Sequence, residues 1–174
     1  MTRTSAFLAL FFGFAACGGG DHSTDGSPAV MDAGTPDLIG AMCKDPRADV
    51  YQPNLMKSSS MGLYTLTLNA SDPAPPILGN NSWTVTVGDP SGTPISTAAL
   101  AVPTKFGGHP NPWMPDHGHG TTLVQVTPAT GTGGYTITPL YYYMPGLWTI
   151  TFTLQANGSD VVDSVAFSFC LADS

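Results

Sequence analysis

Half of the chain's four histidines fall in one stretch, Trp113-Met114-Pro115-Asp116-His117-Gly118-His119-Gly120. The same stretch carries a thioether, Met114, and a carboxylate, Asp116. His117 and His119 are two apart, so on extended backbone their rings would leave the same face. Gly118 and Gly120 add little bulk and let a loop bend around an ion. Imidazole with thioether suits copper(I), whereas imidazole with carboxylate suits copper(II) or zinc. Met144, in Tyr143-Met144-Pro145-Gly146, is a further soft donor. His109, in Gly107-Gly108-His109-Pro110, reads as a turn residue rather than a ligand.

A plainer reading stands beside this one. His-x-His by itself is a common loop pattern. Met114 and Met144 could plug the end of a core, because Met fills irregular gaps. Trp113 and Tyr141 to Tyr143 could be core or end-cap residues. No enzymatic signature is present: there is no Gly-x-Ser-x-Gly, no Walker-type loop and no His-Glu-x-x-His. All twelve acidic residues are Asp, so acid–base chemistry would rest on Asp or His. The expectation is a protein that is not an enzyme. Asp116 is the base nearest the histidines should that expectation fail.

The elements that must position these residues are strands. Ser82 to Val87 alternates, with Trp83, Val85 and Val87 inward. Leu147 to Leu154 alternates most sharply, with Trp148, Ile150, Phe152 and Leu154 on one face. Gly62 to Asn69 turns Tyr64, Leu66 and Leu68 to one side, and Asp163 to Leu171 does the same with Val165, Phe167 and Phe169. Ala98 to Pro103, Thr122 to Thr127 and a strand beginning at Tyr135 complete the set. Asp72-Pro73-Ala74-Pro75-Pro76 breaks the chain, and Asn157-Gly158 is a hairpin turn signal. Leu140 to Gly146 reads as an aromatic corner. About seven short strands without a helical period predict an all-β antiparallel β-sandwich, with a closed barrel as the alternative. Loops at one end of a sandwich converge, so the two Met-Pro corners are expected to face each other.

Charge narrows the partners. The net charge is −7, and only five residues are basic. Such a chain releases few phosphate counterions, which argues against nucleic acid.

The first 16 residues have the layout of a secretory signal: Arg3, an apolar run from Ala6 to Phe14, then Ala15-Ala16. The run is shorter than the roughly 20 residues a membrane-spanning helix needs. The segment resembles a bacterial lipoprotein signal, because Phe14-Ala15-Ala16-Cys17 looks like a lipobox with Phe in place of the usual Leu. The resemblance implies cleavage before Cys17 and lipid on it, hence attachment to a membrane in the cell envelope. Gly18 after the cysteine points to the outer membrane, facing the periplasm or the surface. Ordinary secretion with a stray Cys17 thiol is the alternative. Residues 17–41 are small and polar and read as a flexible tether, in which His22 is a solvated linker residue. Residues 42–174 form the folded domain.

With Cys17 lipidated, Cys43 and Cys170 remain as a pair in an oxidising compartment. A disulfide between them would fasten the start of the domain to its last strand. The rival reading makes one or both thiolates copper ligands.

Two motifs carry a family resemblance. Met114-Pro115-Asp116-His117-Gly118-His119-Gly120, followed by Met144-Pro145-Gly146-Leu147-Trp148, resembles the YtkA-like domain, related to FixH. In that family a Met-Pro-x-x-x-His-Gly segment precedes a Met-x-Gly-x-Trp segment. The resemblance covers roughly Gly62 to Cys170, and a transmembrane anchor of the FixH kind is not expected, because the one apolar run near the start is too short to span a bilayer. It implies an immunoglobulin-like sandwich, export or membrane attachment, and an association with copper handling. Carried over by residue, it points to Met114, His119 and Met144, with His117 as an additional imidazole. The expected function is a lipid-anchored domain that binds copper and exchanges it with a donating or receiving protein. The alternative is a metal-free structural or interaction module using exposed strands or the Tyr141–Tyr143 corner.

Overall fold

The structure is a computed structural model and describes residues 42–121 and 123–173. Cys17, the signal, the tether and His22 lie outside the described residues.

Strands β1 (Leu55–Ser58), β2 (Thr65–Asp72), β3 (Gly79–Gly88), β10 (Gly134–Tyr142) and β9 (Gln125–Pro128) form one antiparallel sheet in that spatial order. The second sheet runs β12 (Val162–Leu171), β11 (Gly146–Ala156), β7 (Trp113–Met114) and β8 (His119–Gly120), and β4 (Ala98–Ala101) also pairs with β11. A small ribbon, β5 (Lys105–Phe106) with β6 (His109–Pro110), precedes β7. The described residues contain strands and no helix. Both sheets are open, so the architecture is the sandwich and not the barrel.

The inward faces are those that alternation predicts. Trp83, Val85 and Val87 from β3 and Leu66 and Leu68 from β2 are buried. Opposite them lie Trp148, Ile150, Phe152 and Leu154 from β11 and Val165, Phe167 and Phe169 from β12. Trp83 sits at the centre, 5.5 Å from Phe169 and 6.2 Å from Phe167 between ring centroids. Its Nε1–H has no hydrogen-bond acceptor. The rings of Phe167 and Phe169 stand nearly perpendicular to the indole, at 79° and 87°, an arrangement that offers weak π contacts instead.

Several boundaries differ from the sequence expectation. Leu140 to Tyr142 continue β10, so the corner is only Tyr143 to Pro145. Gly62 to Tyr64 belong to a loop rather than to β2, which runs on to Asp72. That loop wraps the Asp163 carboxylate, which accepts from Ser60 Oγ (2.8 Å), Met61 N–H (3.0 Å) and Leu63 N–H (3.3 Å). β1 was not anticipated. It is short, its residues alternate between half-buried and exposed, and its pairing with β2 defines it.

One side chain decides where the histidine-bearing stretch sits. β4 covers the edge of β11 from Thr153 to Ala156, and β7 pairs with it at Thr149. Thr151, between them, has no strand beside it on that edge. Asn111 fills the gap: its Oδ1 accepts from Thr151 N–H (2.9 Å) and its Nδ2 donates to the Thr151 carbonyl (2.7 Å). A second donation to the Pro103 carbonyl (2.9 Å) ties this point to the chain leaving β4. The amide thus acts as a strand surrogate and satisfies backbone groups that would otherwise be buried and unpaired. Trp113 and Met114 follow directly into the second sheet.

Candidate functional site

The stretch from Trp113 to Gly120 is a tight hairpin, not extended chain. β7 and β8 pair antiparallel with Trp113 opposite Gly120 and Met114 opposite His119. Pro115 to Gly118 form the turn, closed by hydrogen bonds from the His117 and Gly118 N–H groups to the Met114 carbonyl (3.3 and 2.9 Å). Residues directly opposite in an antiparallel pair project to the same face. Met114 and His119 therefore leave the hairpin together, towards the core. Met114 is fully buried, and His119 is half-buried above it. His117, in the turn, is exposed, yet its ring centroid lies 5.6 Å from that of His119 with planes 42° apart. The two rings come together through the turn, not through the extended alternation first expected.

Gly120 has the close packing its type allows: a Cβ there would collide with Pro110 and the Pro112 carbonyl. This crossing of the hairpin over the preceding ribbon needs a residue without a side chain. His109 is not part of the pair. It stacks on Trp113 with centroids 4.0 Å apart and planes 12° apart.

The Met144 corner meets the hairpin at three points. Tyr143 Oη is 2.6 Å from His119 Nδ1 and 3.4 Å from the Gly120 carbonyl. Gly146, at φ +122°, lies against Met114, where a Cβ would come within 2.9 Å of Met114 Cε. Trp148 packs between the corner and His119, with centroids 5.4 Å from Tyr143 and 6.4 Å from His119. The indole Nε1–H donates to the Met144 carbonyl (2.9 Å) and holds the corner's backbone. Met144 itself is half-buried and packs against the core. The two Met-Pro corners therefore face each other at one end of the sandwich.

Asp116 is engaged elsewhere. Arg47 reaches across from the segment leading into the domain, and both its terminal nitrogens meet the Asp116 carboxylate (2.8 and 2.6 Å). The same guanidinium holds Asp45 through Nε (3.0 Å) and a terminal nitrogen (2.7 Å). These hydrogen bonds keep the Asp116 carboxyl below the usual carboxylate range and bring Asp45 down to about 2. They push Arg47 upward in turn. Such a carboxylate is a weak base and has its oxygens occupied. Spacing gave no sign of the Arg47 contact, which joins residues 69 positions apart.

Among the described residues, no group of three or more His, Cys, Asp or Glu is arranged to hold a metal ion. The hairpin brings Met114, His117 and His119 together, with the Asp116 carboxylate beside them held by Arg47; Met144 packs against the core from the adjoining corner. Two imidazoles sharing an ion through nitrogen–metal bonds of about 2 Å place their centroids roughly 5–6 Å apart, which the His117–His119 separation fits. Cys43 and Cys170 lie at disulfide distance, with Cα atoms 5.0 Å apart. A cavity lined by Met42, Cys43, Lys44, Asp49, Val50, Tyr51 and Pro75 adjoins them and contains none of the Met or His candidates.

Comparison with known proteins gives a family and nothing finer. Neither a curated protein nor a solved structure matches the chain. The family model described as YtkA-like matches residues 60–153, which include β2, β3, the hairpin, the Met144 corner and most of β11. The match covers more than half of the chain and both motifs, and this protein belongs to the YtkA-like family.

Proposed function

We propose that this domain binds copper(I) with Met114, His117, His119 and Met144 and serves as a carrier or buffer in the cell envelope. The observation that carries the reading is the hairpin register: Met114 lies opposite His119, with the His117 ring 5.6 Å from the His119 ring. The ion pair of Asp116 with Arg47 removes the one hard oxygen from the donor set. What remains is soft thioether and borderline imidazole, a set that favours copper(I) over zinc or calcium. His117 is exposed while Met114 is buried, so an ion would enter and leave from the His117 side. A one-sided approach of that kind suits transfer to a copper-receiving protein or uptake from a donating one. Lipid on Cys17 and the tether of residues 17–41 would keep the domain at a membrane, in our reading the outer one.

Titration of the purified domain with copper(I) against a chromophoric chelator should give one ion per chain. His117→Ala/His119→Ala should abolish uptake and leave the melting temperature of the metal-free protein within a few degrees, because His117 is exposed and His119 only half-buried. Unchanged stoichiometry in that double variant would remove these histidines from the ligand set. A wild-type domain that takes up no copper would leave the metal-free interaction module. For that reading, the exposed Tyr141 and Tyr143 are the contact surface.

A further inference from the structure

The Tyr143–His119 hydrogen bond joins the two corners but involves a residue outside the proposed donor set. We infer that Tyr143 is a positioning residue: it occupies Nδ1 of His119 and so makes Nε2 the nitrogen that meets an ion. The inference rests on the copper reading above and specifies how one of its ligands is set.

The contact is short, 2.6 Å from Tyr143 Oη to Nδ1. The two ring planes are only 25° apart, with centroids separated by 5.4 Å. At that distance the phenol oxygen is a hydrogen-bond partner of Nδ1. A nitrogen committed in this way is closed to a metal, and Nε2 is left. Tyr143 is itself held in place. Its ring packs edge-on to Trp148 at 72°, and Trp148 is fixed by its hydrogen bond to the Met144 carbonyl. The Met144 backbone, Trp148, Tyr143 and His119 thus form one supported series, the arrangement that keeps a ligand's orientation fixed before the ion arrives.

The second contact of Tyr143, to the Gly120 carbonyl at 3.4 Å, completes the account. A phenol carries one donor hydrogen and can also accept. In the neutral metal-free ring, the shorter contact takes the O–H: Tyr143 donates to Nδ1, and the ring proton sits on Nε2. With Nε2 given over to an ion, the ring keeps its proton on Nδ1 and donates it to Tyr143 Oη. The Tyr143 O–H then turns to the Gly120 carbonyl. The pair keeps the same number of protons, the one on Nε2 being replaced by one on Nδ1. Partners of this kind on the second nitrogen fix the tautomer and raise the ligand's basicity.

Tyr143→Phe tests this, because it keeps the ring on Trp148 and removes only the hydroxyl. Two measurements are needed. Long-range proton–nitrogen correlation spectra of the metal-free protein should show wild-type His119 as the Nε2–H tautomer and the variant as a mixture. Copper(I) competition should show unchanged stoichiometry in the variant with affinity about 10- to 100-fold weaker. A purely structural role for Tyr143 would shift the melting temperature without moving the tautomer. Wild-type affinity in the variant, or the same tautomer population in both proteins, would overturn the inference while leaving the copper reading intact. Failure of the wild-type protein to bind copper would overturn both.

Discussion

Removal of the Cys43–Cys170 bridge, as Cys43→Ala/Cys170→Ala, lowers the unfolding free energy by on the order of 4–5 kcal/mol. The two cysteines are 127 residues apart, so the bridge closes nearly the whole domain into one loop. Closing so long a loop removes more entropy from the unfolded chain than closing a short one. The folded state loses little when the bridge goes, because other contacts hold the same segment. Cys43 N–H donates to the Cys170 carbonyl (2.9 Å), and Met42 pairs with Leu171 as an isolated bridge. Further along, Asp49 N–H donates to the Ser168 carbonyl (2.7 Å), and Ser168 N–H returns the bond to the Asp49 carboxylate (2.8 Å). Lys57 then pairs with the same carboxylate (2.8 Å). The variant should therefore fold, with a urea midpoint well below that of wild type and a steeper dependence on urea, because its unfolded chain exposes more surface. A loss under about 1 kcal/mol would mean that the unfolded chain is already compact in this region.

Asp163 provides the second large effect. Its side chain is buried, yet it lies in a strand of a sandwich with few charges. Burial alone would raise its carboxyl pKa. Hydrogen bonds from the Ser60 hydroxyl and the Met61, Leu63 and Ser164 N–H groups outweigh that and hold it well below the usual carboxylate range. A carboxyl depressed on folding contributes stability that is fully present above its unfolded value, about 3.9, and is lost as pH falls towards the folded value. Wild-type stability should therefore decline with acid below about pH 4. Asp163→Asn cannot accept with both atoms of its head group, so one or more loop donors are left unpaired. It should cost about 2–4 kcal/mol at pH 7, and its stability should depend less on pH in the acid range. Denaturant midpoints measured from pH 7 down to pH 2 separate the two proteins. Parallel curves would show that another carboxylate governs acid unfolding.

Much of the sandwich was legible because it depends on local alternation. The pattern of Trp83, Val85 and Val87, and that of Trp148 through Leu154, placed the right residues in the core without knowledge of which strands pair. The facing of the two Met-Pro corners followed from loop convergence at the end of a sandwich. What alternation does not encode is contact across sequence distance. Asn111 acts as part of a strand only because β4 and β7 leave Thr151 uncovered, a gap that exists once both have docked on β11. Arg47 takes Asp116 from 69 residues away, and Tyr143 takes His119 from 24 away. His117 and His119 approach each other through a four-residue turn that Gly118 and the Met114 carbonyl close, whereas their spacing alone suggested extended chain. Burial of Met114 was expected only under the plainer reading of that residue as a core plug.

X-ray absorption at the copper edge of the copper(I)-loaded domain should show both sulfur and imidazole nitrogen bound to the metal, with the sulfur contribution diminished in Met114→Leu and the imidazole contribution lost in His117→Ala/His119→Ala. Nitrogen and oxygen alone around the metal, unchanged by either substitution, would contradict the proposed ligand set.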